Sequence, residues 1–269
     1  MPRNLLTCLL ILSVWVLSAD HGFSQILNIE KARVDRDTAN IWLGSVGFNL
    51  NIFNRDAGED DPRHFVNLGI QSNVGYLSNQ HGYLLMGRLD YVEVTDNPLI
   101  RTGYVHGRAT FNRASKWSYE LFGQFQYDIS RGMRSRWLSG GGLRWRIQDT
   151  KTTKIFAGIG AMFEVEKWED PAQEDQFIQP DLIKTTNYLS IHSNLNSHVR
   201  LDAIGYYQGG VDNAIDAMRH RFNLTTSINV RLTNKLQLKT SFDCQYENRP
   251  IIPITNFIYA ISNGLTYSF

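Results

Sequence analysis

The run "SIHSNLN" sets His192, Ser193 and Asn194 side by side, a base, a nucleophile and an orienting amide, which are the three roles of a hydrolytic site. A second group is made of charge. Arg88 and Asp90, Arg134 and Arg136, Arg144 and Arg146, and Glu164 and Glu166 each stand two residues apart, and Arg221 follows later. Charges at that spacing share one face of a β-strand. They could form a polar constriction that selects small solutes, or a ladder of buried ion pairs that stiffens a wall. The third group is the acidic run "WEDPAQEDQFIQPDL", with Glu169, Asp170, Glu174, Asp175 and Asp181 and no basic residue. Carboxylates are calcium ligands, but the spacing of a calcium-binding loop is missing, so the run reads as a solvated loop. His64, His81 and His220 share no metal-ligand spacing. No metal site and no cofactor are expected.

The elements that carry these residues decide between the readings. From Ala39 onward apolar residues recur at every second position, the period of a strand. Trp42, Val46, Phe48, Leu50 and Ile52 make one such set, and Tyr83, Leu85, Leu89 and Tyr91 another. The period continues through 105–111, 117–129, 137–147, 155–165, 189–195, 199–207, 222–232, 236–246 and 257–269. The fold class is therefore all-β, a transmembrane antiparallel up-and-down barrel of about 12 strands. Its strands are longer than the roughly five or six residues usual in soluble sheets, and they match the roughly 9 to 11 tilted residues needed to cross hydrocarbon. Beyond the N-terminus no run is apolar and long enough for a spanning helix.

Strand geometry removes the hydrolytic reading of "SIHSNLN", since His192 faces the lumen and Ser193 faces lipid. With no face-matched catalytic set beside it, the chain is expected not to be an enzyme. The inward face is expected to hold the nine charges named above together with His106, Arg108, Glu120, Asp128, Arg200, Asp202, Arg231, Lys239 and Asp243. If "QDTKTT" closes a hairpin, Arg136 falls opposite Glu164 and Arg134 opposite Glu166, and the same reasoning puts Arg221 near Glu247. Trp42, Trp117 and Trp145 are expected in one aromatic girdle, and Trp137 and Trp168 in the other. Cys244 reads as a small lipid-facing residue. Connections alternate between short ("RASK", "NSH", "TNK") and longer ("NRDAGEDDPRH", "ENRPIIPIT"), as periplasmic turns and outer loops do. Every proline after Pro2 is expected in a longer connection, outside the ladders.

The N-terminus "MPRNLLTCLLILSVWVLSADHGFSQ" has Arg3, an apolar core from Leu5 to Leu17 and small residues near Ser24. It reads as a signal peptide over residues 1–24, cut after Ser24 in preference to Ala19. Residues 25–38 read as a short periplasmic segment, a tail in preference to a plug, and 39–269 as the outer-membrane barrel. Cys244 is then the one cysteine left after export, so no internal disulfide is expected. A net charge of +1 does not favour a nucleic-acid partner.

The ending, with Leu265, Tyr267 and Phe269 at alternate positions, resembles the C-terminal signal of bacterial outer-membrane proteins. That resemblance implies outer-membrane lipid as the surroundings and the barrel-assembly machinery as a partner through the last strand, with a seam against the first strand. The stretches "QILNIEKARVDRDTANIWLGSVGFNL", "GGLRWRI" and "KIFAGIGAMFEVEKWE" resemble the YdiY-like, salt-induced outer-membrane proteins of Bacteroidetes, a Gram-negative family without established activity. Two functions are expected from this reading. One is a passive channel for small polar solutes, or an envelope-stress barrel. The other is a non-conducting structural or partner-binding barrel acting through its outer loops or periplasmic segment.

Overall fold

The computed structural model describes residues 40–54, 64–173, 175–233 and 236–267. The expected signal peptide, the segment 25–38, the connection that carries Pro62, and Phe269 lie outside the described residues. Alternation of apolar and polar residues builds one antiparallel sheet. Its strands are β1 (Ile41–Asn54), β2 (His64–Leu77), β3 (Gly82–Val94), β4 (Asn97–Phe111), β5 (Trp117–Asp128), β6 (Met133–Asp149), β7 (Thr153–Glu169), the two-residue β8 (Phe177–Ile178), β9 (Asp181–Asn194), β10 (Val199–Asp212), β11 (Ala217–Arg231), β12 (Leu236–Glu247) and β13 (Phe257–Tyr267). Twelve of them follow one another in sheet order, and β8 pairs only with the end of β7. The up-and-down barrel of about twelve strands is thus the observed fold. Among the described residues, no ladder joins β13 to β1. Contacts across the interior instead show how tightly the sheet curls.

Outward faces are apolar: Trp42, Phe48, Leu121, Trp137, Ile159, Ile183 and Ile261 are all exposed. Aromatic side chains cluster toward both rims. Trp117 stacks on Trp145 at 5.6 Å and Trp42 meets Tyr76 at 5.1 Å toward the short-turn rim, while Phe125 meets Trp137 at 4.4 Å toward the other. Trp168 departs from the expected girdle. It is 3% exposed and packs inward with Met133 and Ile252, because its indole N–H donates to Glu166 Oε2 at 2.8 Å. Cys244 is half-buried.

The connections also differ from expectation. Residues 95–96 alone join β3 to β4, both with positive φ, so Pro98 lies inside β4 rather than in a loop. A register shift at Val92 and Glu93, whose partner is Pro98, accommodates the missing N–H. Likewise only 213–216 separate β10 from β11. The rim asymmetry is therefore carried by three long connections, 55–63, 170–180 and 248–256. The last of these forms a strap. Ile252 is 7% exposed against Met133 and Trp168, and Asn248 donates to Met218 O at 3.2 Å. Gly132 makes room for it: a side chain there would meet Ile252 Cδ1 at 3.2 Å, and its φ of +82° favours glycine.

Candidate functional site

Side chains of β6, β7, β9, β11 and β12 meet inside the barrel near the long-loop rim. Arg136 Nε donates to Glu164 Oε2 at 2.8 Å and lies 3.2 Å from Glu166 Oε1. Lys184 Nζ donates to Glu164 Oε1. From across the lumen Arg221 donates to Glu164 at 3.3 Å, to Glu166 at 2.9 Å and to Glu247 at 3.0 Å. Three cations thus meet three carboxylates, and Glu164 and Glu166 are each 1% exposed. Charges removed from water this completely persist only when each is matched and hydrogen-bonded. Since β9 and β10 lie between β7 and β11 in the sheet, the network is a strut across the interior as well as a ladder along the wall.

The register differs from the expected one. Glu166, not Glu164, stands opposite Arg136, and Leu138 faces Glu164. The hairpin closes on Asp149 and Lys154, and with a one-residue irregularity at Arg146/Gln148 the partner of Arg136 falls two residues from the expected one, which keeps Arg136, Glu164 and Glu166 on the inward face. The Arg136–Glu164 contact forms diagonally. Arg134 is corrected more fully. It falls at a second irregularity, between Met133 and Ser135, is exposed at the rim, and pairs with Glu169 rather than Glu166. Arg221 does stand opposite Glu247.

Toward the short-turn rim a second group fills the interior. Tyr188 donates to Glu120 Oε2 at 2.9 Å, with Arg108 and Arg144 at 3.9 and 4.0 Å from the same carboxylate. The Arg144 guanidinium lies 3.8 Å over the ring of Phe156, a cation–π contact. Arg146 turns away from the lumen centre and braces the β4–β5 turn by donating to Arg113 O at 2.5 Å and Ala114 O at 3.0 Å. His192 Nδ1 lies 2.5 Å from Asp202 Oδ1, and Ser193 on the other face bonds Thr153 at 2.9 Å. The inward neighbour of His192 is Ser190, a face-matched serine that the sequence reading passed over. It is 0% exposed, with Phe156 and Ile204 as its strand partners, so its hydroxyl has no room for a substrate.

Between the two groups lies a cavity of about 550 Å³. Arg88 and Asp90 line it and pair with each other along their own strand, with Arg88 Nη2 donating to Asp90 Oδ1 at 2.8 Å. Gln124 donates to Gln126 at 3.0 Å in the same manner. Tyr104, His106, Phe122 and Tyr206 add aromatic surface, and Met86, Leu138 and Met162 add apolar surface. The inward face is therefore less uniformly charged than expected. Lys184 was missed because the period before Leu189 is weak, with polar Thr185 and Asn187 on the outward side. Counting back in twos from His192 finds it. Among the described residues, no group of three or more His, Cys, Asp or Glu could hold a metal ion.

The sequence model of a family described as "Protein of unknown function, DUF481" matches residues 67–269. No curated protein matches the chain. Among solved structures, "TodX monoaromatic hydrocarbon channel deltaS2 mutant" is similar at 10% identity with a TM-score of 0.43, over 86% of this chain and 81% of that one.

Proposed function

Because the chain belongs to the family described as protein of unknown function DUF481, and is an outer-membrane barrel of that type, we propose that its lumen passes small polar solutes. The observation that carries this reading is the cavity of about 550 Å³, bounded by strands from β3 to β13 and lined by Arg88, Asp90, Gln124 and Gln126. Arg88 with Asp90, and Gln124 with Gln126, pair along their own strands and so lie against the wall of this cavity. Refolded mature chain in a planar bilayer gives discrete conductance steps. Arg88→Gln leaves Asp90 without its fork and shifts selectivity toward cations. A folded barrel silent at all voltages, or one whose selectivity ignores this change, defeats the proposal.

One observation favours a second reading. Ile204 and Ser190 are 0% exposed and the network around Glu164 is buried, so part of the interior is packed. A silent barrel would then be a stiff, non-conducting scaffold that meets partners through its outer loops or periplasmic segment, or serves under envelope stress. In either reading the chain is exported with a cut after Ser24, and the assembly machinery reads its last strand. Sequencing of the membrane-extracted protein then begins at Gln25, and any other start refutes that cut.

A further inference from the structure

Three carboxylates line the cavity, Asp90, Glu120 and Asp243, and the ion pairs leave one of them over. Asp90 is forked by Arg88, and Glu120 is met by Arg108, Arg144 and Tyr188. Asp243, on the inward face of β12, differs from both. Its Oδ1 accepts from Thr225 Oγ1 at 2.7 Å, and its Oδ2 is buried without a hydrogen-bond partner. Among the described residues no salt bridge reaches it. The cations that feel its charge are Lys239 and Arg88. Arg88 is held by Asp90, and Lys239 stands four residues along the same strand without a salt bridge to Asp243. Asp243 lines the cavity, and so do Tyr104, Phe122, Tyr188 and Tyr206. A buried carboxylate oxygen without a partner costs free energy until something donates to it or matches its charge. Aromatic faces around such a charge attract cations through their quadrupoles.

We propose that this cavity is a binding site for a small organic ammonium ion, with Asp243 as its counter-charge and the lumen aromatics as its walls. The proposal rests on the reading that small solutes enter the lumen, but it is measured separately from conduction. An inorganic cation would keep its water and gain little from the phenol rings, whereas an alkylated ammonium sheds water readily and uses them. An anion finds its candidate partners, Arg88, Arg108 and Arg136, already engaged by carboxylates.

The test is calorimetric titration of the full refolded barrel with choline. The comparison compound is the neutral alcohol that carries a carbon atom in place of the ammonium nitrogen. Choline binds, and the neutral alcohol binds more weakly by on the order of tenfold or more, the size of a lost charged contact. Asp243→Asn keeps an acceptor for Thr225 and weakens choline by a similar factor without affecting the neutral compound. Equal affinity for the two compounds overturns the proposal on the unaltered protein, whatever the variant does. So does an Asp243→Asn barrel that binds choline as before. Choline binding to a barrel that is silent in the bilayer upholds this site and defeats the conduit. Conductance without choline binding does the reverse.

Discussion

The two halves of the lumen use the same residue types and reach opposite results. On the side of β7, β9, β10 and β11 the charges reach across to other strands, as Arg221 does to Glu164 and Glu166, and the interior closes into a packed body. Beside the cavity, Arg88 lies along its own strand with Asp90, and the polar Gln124 with Gln126, while Glu120 nearer the short-turn rim is met from β4, β6 and β9. Composition therefore does not determine whether a twelve-strand barrel is hollow. What matters is whether each charge finds its partner two residues away or three strands away. A pair along one strand lies flat and holds only the wall, while a pair that reaches over intervening strands draws distant parts of the wall together.

The largest expected effect is on the packed side. Arg221→Met removes the cation shared by Glu164, Glu166 and Glu247 and costs about 3–5 kcal/mol, the range for breaking a buried charge network. Denaturant titration in micelles, followed by the gel shift of folded against unfolded barrel, measures it. A loss under about 1 kcal/mol would mean that the strut does not hold the halves together. The smallest effect is on the hollow side. Replacing Arg88 and Asp90 together by leucine removes a pair whose side chains are 13% and 27% exposed, and costs under about 1 kcal/mol because no buried charge is left without its partner. A cost equal to that of Arg221→Met would erase the distinction between the halves.

Much of this was legible in the sequence. A period of two assigned the correct face to Arg88, Asp90, Arg136, Arg144, Glu164, Glu166 and Arg221, because pleating alternates side chains whatever the register. Arg134 escaped because an irregularity in the pairing interrupts that alternation, and no residue type marks the place. Trp168 escaped because a nearby carboxylate outweighed its preference for an interface. The partner of each charge was less legible than its face. Arg136 and Glu164 read as an isolated couple, yet Glu164 is shared with Lys184 and Arg221. Curling of the sheet brings β11 over β7, and no spacing along the chain encodes that. The unmatched charge at Asp243 became visible only once every other carboxylate of the cavity had its partner.

The strap over the rim bears on the order in which the barrel assembles. Ile252 follows β12, yet its seat is built by Met133 at the start of β6 and Trp168 at the end of β7. Each hairpin can zip to the one before it with little loop to close, but this contact joins segments far apart in the chain and must wait until the strands from β6 to β12 have paired and curled. It is a clasp made late, and a chain that stalls partway leaves Met133 and Trp168 uncovered at the rim.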